Sequence, residues 1–260
     1  MNNTVELMLK RRSVRTYSDK PINNDEKQAI FDCAMRAPTA GNLMLYSMIE
    51  VTDQQMKEKL AISCDDQPFI AKAPLVVLFA ADFQRILDLY RFSGAQEWSK
   101  EQGCEFRLPA EGDFFLAIND ALIAAQSAVT AAESMGIGSC YIGDVMEQYE
   151  FHRELFELPD YVFPATLVCF GYPKTDGPKT PVPRYEEKYV HFENTYTRFE
   201  AGELLHMTDR LEEWQYKGKV PQYNGGNIGC HIYNRKYATD YANEMNRSVK
   251  EALKLWTGKK

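Results

Sequence analysis

Residues 11–15 read Arg-Arg-Ser-Val-Arg, three guanidinium groups and a hydroxyl within one turn's reach. Arg is suited to gripping phosphate through paired charge-assisted hydrogen bonds, and Ser13 adds a short donor and acceptor for a sugar or ring edge. The stretch also follows a short predicted helix, Thr4 to Lys10, whose last turn favours positive side chains in any case. For the three arginines taken alone a solvated helix end is the better reading. The rest of the chain decides between the two.

The 260 residues are 45% hydrophobic and 26% charged, which suits a globular protein with a full-sized core. A formal net charge of -7 argues against nucleic acid or an anionic membrane surface as the main partner, so the basic cluster is local. The first residues lack a charged start, an apolar core and a cleavage site, which predicts a cytoplasmic protein. Six cysteines, Cys33, Cys64, Cys104, Cys140, Cys169 and Cys230, form no C-x-x-C pair and no metal rhythm with the four histidines. They read as reduced thiols, mostly buried, with Cys104 and Cys140 the two whose surroundings leave reactivity open.

Asn23 with Glu26 three residues on marks a helix start, and the helix runs to Arg36. Pro38-Thr39-Ala40-Gly41-Asn42 breaks it into a loop. Tyr46 to Val51 alternates as a strand, Asp53 opens a helix to Ile62, and Pro74 to Ala81 is a continuous β-branched and apolar run suited to a strand buried on both faces. Phe114 to Met135 is helical and apolar around nearly its whole circumference, so it must be packed on all sides. Asn119, Asp120, Gln126, Thr130 and Glu133 within it argue against a lipid-facing span. Gly136 ends that helix, residues 137–144 read as an irregular glycine-rich turn, and Ala165 to Phe170 as another buried strand. The last third is predicted helical over Glu200 to Tyr216 and Lys236 to Trp256, with an aromatic-rich tail that wraps a neighbour or lids a site.

In order and spacing these segments resemble the FMN-dependent nitroreductase family, and within it the NAD(P)H-dependent nitroreductases and flavin reductases with a long helical C-terminal extension. The likeness covers nearly the whole chain. Arg11-Arg12-Ser13-Val14-Arg15 looks like the family's opening FMN motif, which implies guanidiniums on the phosphate and Ser13 beside the pyrimidine edge or ribityl chain. Pro38, Thr39, Ala40 and Asn42 are similar to its Pro-Ser-x-x-Asn loop. Gln67 matches a cofactor-binding Gln. Tyr141-Ile142-Gly143 resembles the turn lying against the flavin ring, and Arg184 the late Arg that returns to the phosphate. Two departures stand out. Met44 replaces a Gln frequent in the family, and Val182 sits where the subgroup often has Lys, leaving Lys174 or Lys179 as substitutes.

The resemblance implies an α+β fold with a central mixed sheet flanked by helices, in an intertwined homodimer with FMN at the subunit interface. It implies an FMN-binding core over residues 1–195 and a partner-wrapping extension over 196–260. The implied reaction takes hydride from NAD(P)H and passes it to a small planar acceptor, a nitroaromatic, quinone or free flavin. The flavin carries the chemistry, so no catalytic dyad or metal is needed, in keeping with histidines that show no triad spacing. A flavin-binding or storage protein without NAD(P)H turnover, or a relative with a specialised substrate, would present the same motifs.

Overall fold

The structure is a computed structural model describing residues 2–174, 181–223 and 225–258. Its centre is formed by two strands, β2 (Leu75–Asp82) and β4 (Val162–Gly171), in which every residue is buried. A run such as Leu-Val-Val-Leu-Phe-Ala-Ala can lie there because both faces of the sheet are covered. With β1 (Tyr46–Glu50) and β3 (Gly138–Ile142) they form a four-stranded sheet in the order β1-β2-β4-β3, each neighbouring pair antiparallel. The α+β class is as expected, but the mixed sheet becomes an antiparallel one, its strands joined by excursions that reverse direction. Among the described residues the parallel pairing is a single bridge, Ser13 to Ser139.

A bulge interrupts the β2–β4 ladder between Phe79 and Ala80, whose partners are Thr166 and Pro164. The intervening Ala165 is the extra residue, and it switches the parity of β4. Val168 and Phe170 on one side of it share a core cluster with Phe163 and Ala165 on the other, while Leu167, Cys169 and Val162 face the opposite cluster. Pro164 sits at the bulge, where a missing N–H costs no ladder bond.

The first cluster lies beneath α2 (Asn24–Met35) and α7 (Glu111–Ser134), the second beneath α3 (Gln54–Ser63) and α4 (Phe69–Lys72). Asn23 and Glu26 close the reciprocal cap foreseen for α2, and the Asp53 side chain caps α3. In α7 the small residues Ala117, Ala121, Ala124, Ala125, Ala128 and Ala132 are buried against the core. The helix is long and apolar enough to cross a membrane by length and composition, yet it serves as a core helix carrying buried Asp113 and Asp120. It is not packed on all sides in the single chain: Phe115, Leu116, Leu122 and Ile123 are exposed.

Residues 138–142 form strand β3 rather than an irregular turn. The glycines that suggested a turn serve close packing, because Gly138 pairs with Gly171 across the ladder and both sit under side chains from the Arg11–Tyr17 segment. Three helices had no visible start: α5 (Gln84–Phe92), α6 (Ala95–Glu101) and α8 (Tyr149–Leu155). None is capped by its own N-cap side chain, although Asp82 Oδ1 accepts from Arg85 N–H at 3.2 Å, and α6 and α8 begin after left-handed Gly94 and Gln148.

The chain divides into two compact units, residues 1–177 with 244–260, and residues 178–243. The residue-195 boundary read from the sequence falls inside the second unit. That unit holds α9 (Ala201–His206), α10 (Asp209–Tyr216), α11 (Ile228–Ile232) and the first residues of α12 (Asp240–Thr257), with ring contacts such as Tyr189–Phe199 at 5.2 Å. The rest of α12 belongs to the first unit. There Trp256, 1% exposed, lies edge-on to Phe114 with centroids 4.9 Å apart.

Candidate functional site

The segment from Arg11 to Tyr17, which follows α1 (Asn3–Lys10), crosses the end of the β3–β4 pair as a strap. Val14 N–H donates to the Ser139 carbonyl at 2.8 Å, and the Tyr17 hydroxyl donates to the Val14 carbonyl at 2.8 Å. Val14 and Tyr17 are buried, which turns Ser13 and Arg15 outward to exposed positions, with Arg11 and Arg12 half-buried. A Cβ on Gly138 would lie 2.5 Å from Val14 Cγ2, and one on Gly171 2.6 Å from Tyr17 Cδ1. The strap can sit this close only because both positions lack side chains. None of the ion pairs among the described residues involves Arg11, Arg12 or Arg15, and the acid that feels Arg11 and Arg12 is the Glu133 carboxyl of α7, beyond ion-pair distance.

Beside the strap stands a wall built from the α3–α4 turn and the end of β3. The Arg15 guanidinium lies 6.0 Å from the centroid of the Phe69 ring. Gln67 Nε2 donates to the Cys64 carbonyl at 2.8 Å and to Asp144 Oδ2 at 2.9 Å. Both partners only accept, so the amide orientation is fixed and the Gln67 oxygen is left as an acceptor for a ligand. Tyr141 is half-buried; its hydroxyl donates to Gln126 Oε1 of α7 at 3.3 Å, and burial pushes its phenol up to about 12, against a smaller opposing pull from Arg11. Ile142 is buried, and Gly143 leads into the turn carrying Asp144. Burial also raises the Cys140 thiol above its ordinary range, only partly countered by Arg15 and Ser13, so this cysteine is a poor nucleophile.

The Pro38–Asn42 loop is held elsewhere. Asp120, 3% exposed in the middle of α7, accepts from the Thr39 hydroxyl, from Ala40 N–H at 3.0 Å and from Leu45 N–H at 3.0 Å. Thr39 Oγ1 in turn accepts from Met44 N–H at 2.9 Å, and Arg85 donates to the carbonyls of Met44 and Tyr46. These bonds hold Gly41, Asn42 and Met44 at φ of 56°, 57° and 50°, leaving Pro38 and Asn42 exposed. The strap meets α7 much further along: Arg11 shares a cavity of about 120 Å³ with Gln126, Thr130 and Glu133. From Asp120 to Gln126 and Glu133 the axis advances about 9 and 20 Å. Among the described residues no hydrogen bond, ion pair or ring contact joins the loop to the strap or to Gln67 and Tyr141.

Arg184 lies in the second unit, exposed. Lys174 N–H donates to the Thr16 carbonyl at 3.2 Å, next to Arg15, while Lys179 lies outside the described residues. The cysteines are all free, but three rather than most are buried: Cys64, Cys140 and Cys169. Among the described residues no His, Cys, Asp or Glu group is arranged to hold a metal. Asp120, Arg85 and Asp144, which build the site from behind, were not singled out by the sequence. A lone Asp amid the alanines of α7 is the signal that could have found the first.

The sequence profile of the nitroreductase family matches residues 8–172, a span that includes the strap, the loop, Gln67 and the β3 turn. The chain belongs to the nitroreductase family. A Bacillus subtilis member, FMN reductase (NADPH), is 34% identical over 196 residues, covering 75% of each chain. The oxygen-insensitive NADPH nitroreductase of Salmonella typhimurium is 31% identical over 82% of this chain and 83% of its own. Among solved structures, the NfrA1 nitroreductase of B. subtilis superposes with a TM-score of 0.76 at 28% identity, covering 96% of this chain and 98% of that one. Nitroreductase A from Vibrio parahaemolyticus, at 21% identity, shares the fold over the full length of both chains with a TM-score of 0.81.

Proposed function

We propose that this nitroreductase-family chain is an FMN-dependent NAD(P)H oxidoreductase, a homodimer that reduces nitroaromatics, quinones or free flavin. The observation that carries the reading is the strap, where three arginines in no ion pair among the described residues are fixed beside a wall offering one amide acceptor. That set fits FMN. Arg11, Arg12 and Arg15 would hold the phosphate, Ser13 and the Gln67 oxygen would take ribityl or ring-edge hydrogens, and Tyr141-Ile142-Gly143 would lie along the ring. Arg184 is read as a further phosphate ligand. When bound, the flavin supplies the acceptor for hydride and returns it to the second substrate. The protein's part is positioning and electrostatic: the arginines would hold the phosphate while Ser13 and the Gln67 amide fix the ring edge, and positive charge nearby would favour a reduced, more negative flavin.

Pro38, Thr39, Ala40 and Asn42 belong to the same reading through a second copy. Their anchorage at Asp120, well along α7 from the strap, supports a site in which one subunit's loop meets the flavin held by the other's strap. The exposed face of α7 at Phe115, Leu116, Leu122 and Ile123 supports the same assembly. Tyr196, Tyr233 and Tyr237 are also exposed, which suits an extension from residue 196 clasping the partner before α12 returns to its own core. Free cysteines throughout suit a reducing compartment such as the cytoplasm.

The test is to extract and weigh the cofactor, then add NADH or NADPH without oxygen and watch the yellow colour. FMN that bleaches with either nucleotide is the expected result. FMN that stays yellow with both favours a flavin-binding protein without turnover, and recovery of FAD alone refutes the proposed phosphate site.

A further inference from the structure

Behind Gln67 stands a buried carboxyl for which the proposed chemistry has no use. Glu147 is 5% exposed, and its Oε1 has no hydrogen-bond partner. It hangs on the same turn as Asp144, since Glu147 N–H donates to the Asp144 carbonyl at 3.0 Å. We propose that Glu147 is a positioning residue for the flavin site: as the neutral acid it allows the Asp144 carboxylate to hold Gln67, and its ionisation releases that hold. The inference rests on the FMN reading above and names a control on that same site.

The groups acting on Glu147 are all acidic or neutral. Asp144 is on its own turn, Asp65 comes from the α3–α4 turn and Glu244 from α12. From α8, His152 Nδ1 meets the Glu147 carbonyl at 2.7 Å, so that nitrogen carries the proton, and Ser63 Oγ donates to Nε2 at 2.8 Å. Burial lowers the His152 imidazole below its ordinary value, which keeps it neutral. On α12, Arg247 is bound to Glu150 and Glu244. Burial first, then Asp144, Asp65 and Glu244, push the Glu147 carboxyl from 4.5 up to about 7.

Glu147 cannot easily swing out to water. The His152 contact fixes its main chain, and the next residue is tied twice: Gln148 N–H donates to Glu244 Oε1 at 3.1 Å and Gln148 Nε2 to the Ser63 carbonyl at 3.1 Å. Above neutral pH Glu147 gives its proton to solvent, and the added charge, buried without a donor, is relieved when the 144–147 turn opens and carries Asp144 away. That opening frees the Gln67 amide to rotate, and the fixed acceptor is lost.

The experiment is the FMN dissociation constant of the full-length protein, stripped and retitrated with FMN from pH 5.5 to 9, for wild type, Glu147→Gln and Asp65→Asn. The FMN phosphate titrates itself, with a second pKa near ~6, but identically against each variant, so it cancels in the ratios. The wild-type constant divided by that of Glu147→Gln is expected to be flat below pH 6 and to rise by about tenfold by pH 9, about 1.4 kcal/mol. Asp65→Asn removes one repelling charge and should move the wild-type break to lower pH, which keeps the test open if Glu147→Gln fails to fold. The melting temperature of the stripped protein, a readout without flavin, should fall from pH 5 to 7 in wild type and less steeply in Glu147→Gln. Wild type that binds no FMN at any pH removes the flavin reading and this inference with it. Wild type that binds FMN with a pH profile parallel to Glu147→Gln, or a break unmoved in Asp65→Asn, overturns the inference alone.

Discussion

Replacing Gly138 by Ala tests whether the strap is held by close packing. The new Cβ would stand 2.5 Å from Val14 Cγ2, 2.9 Å from Val14 Cβ and 3.2 Å from Pro173 Cγ. Ordinary carbon contact is about 3.5 to 4.0 Å, so Val14 must retreat by about 1 Å or the strand must bend. Overpacking of this kind costs about 1 to 3 kcal/mol. Because Val14 is bonded to Ser139 and bracketed by Ser13 and Arg15, a retreat also displaces the proposed phosphate ligands. Losing one charge-assisted hydrogen bond is worth about 1.5 to 3 kcal/mol, which is about 10- to 150-fold in FMN affinity. Fluorescence quenching of added FMN measures the affinity, and thermal melting of the stripped protein measures the packing cost separately. Adding Val14→Ala removes the worst contact and should recover part of both. A Gly138→Ala protein that melts and binds FMN as wild type does would refute the argument that this close approach fixes the strap.

Asp120→Ala should cost on the order of 3 kcal/mol of stability, because it strands the buried Leu45 N–H along with Ala40 N–H and the Thr39 hydroxyl; chemical denaturation measures it, and a loss under 1 kcal/mol would show that water replaces the carboxylate. For the nicotinamide donor, the stretch after α10 from Tyr216 to Cys230 contains Lys217 and Lys219 but no Arg, so NADH should serve at least as well as NADPH. The ratio of kcat/KM for the two donors at one ionic strength checks this, and a preference for NADPH above about tenfold, or ~1.4 kcal/mol, would show that a cation grips the 2′-phosphate.

What the sequence disclosed depended on how local each signal was. The Asn23–Glu26 cap, the Asp53 cap and the unbroken apolar runs of β2 and β4 are written in neighbouring residues, and the structure follows them within a residue or a few. β3 was hidden because its glycines are selected by what crosses over them, and nothing near Gly138 in sequence announces Val14. The parity switch at Ala165 was hidden for a similar reason: a bulge is defined by the partner strand, which sequence periodicity does not include. α5, α6 and α8 have Phe83, Gly94 and Gln148 at their N-caps, none of which caps with its own side chain, so their helical periods have no clear beginning in the sequence.

The site divides along the same line. Arg11 to Arg15, Gln67 and Tyr141 to Gly143 are contiguous motifs, and the structure gathers them on the strap and wall. The residues that fix them are polar groups scattered through apolar elements, and each is informative only once its neighbours are known. Asp120 looks like an interruption in an alanine-rich helix until the Thr39 hydroxyl and two backbone N–H groups are found on it. Asp144 and Glu147 look alike in sequence, two acids three residues apart, yet they differ in role. The Asp144 carboxylate accepts from Gln67, whereas the Glu147 Oε1 accepts from nothing and faces carboxylates. A buried carboxyl without a donor, such as Glu147, holds its proton to higher pH than a free one. That difference makes Asp144 a fixed support and Glu147 the group through which pH can reach the site.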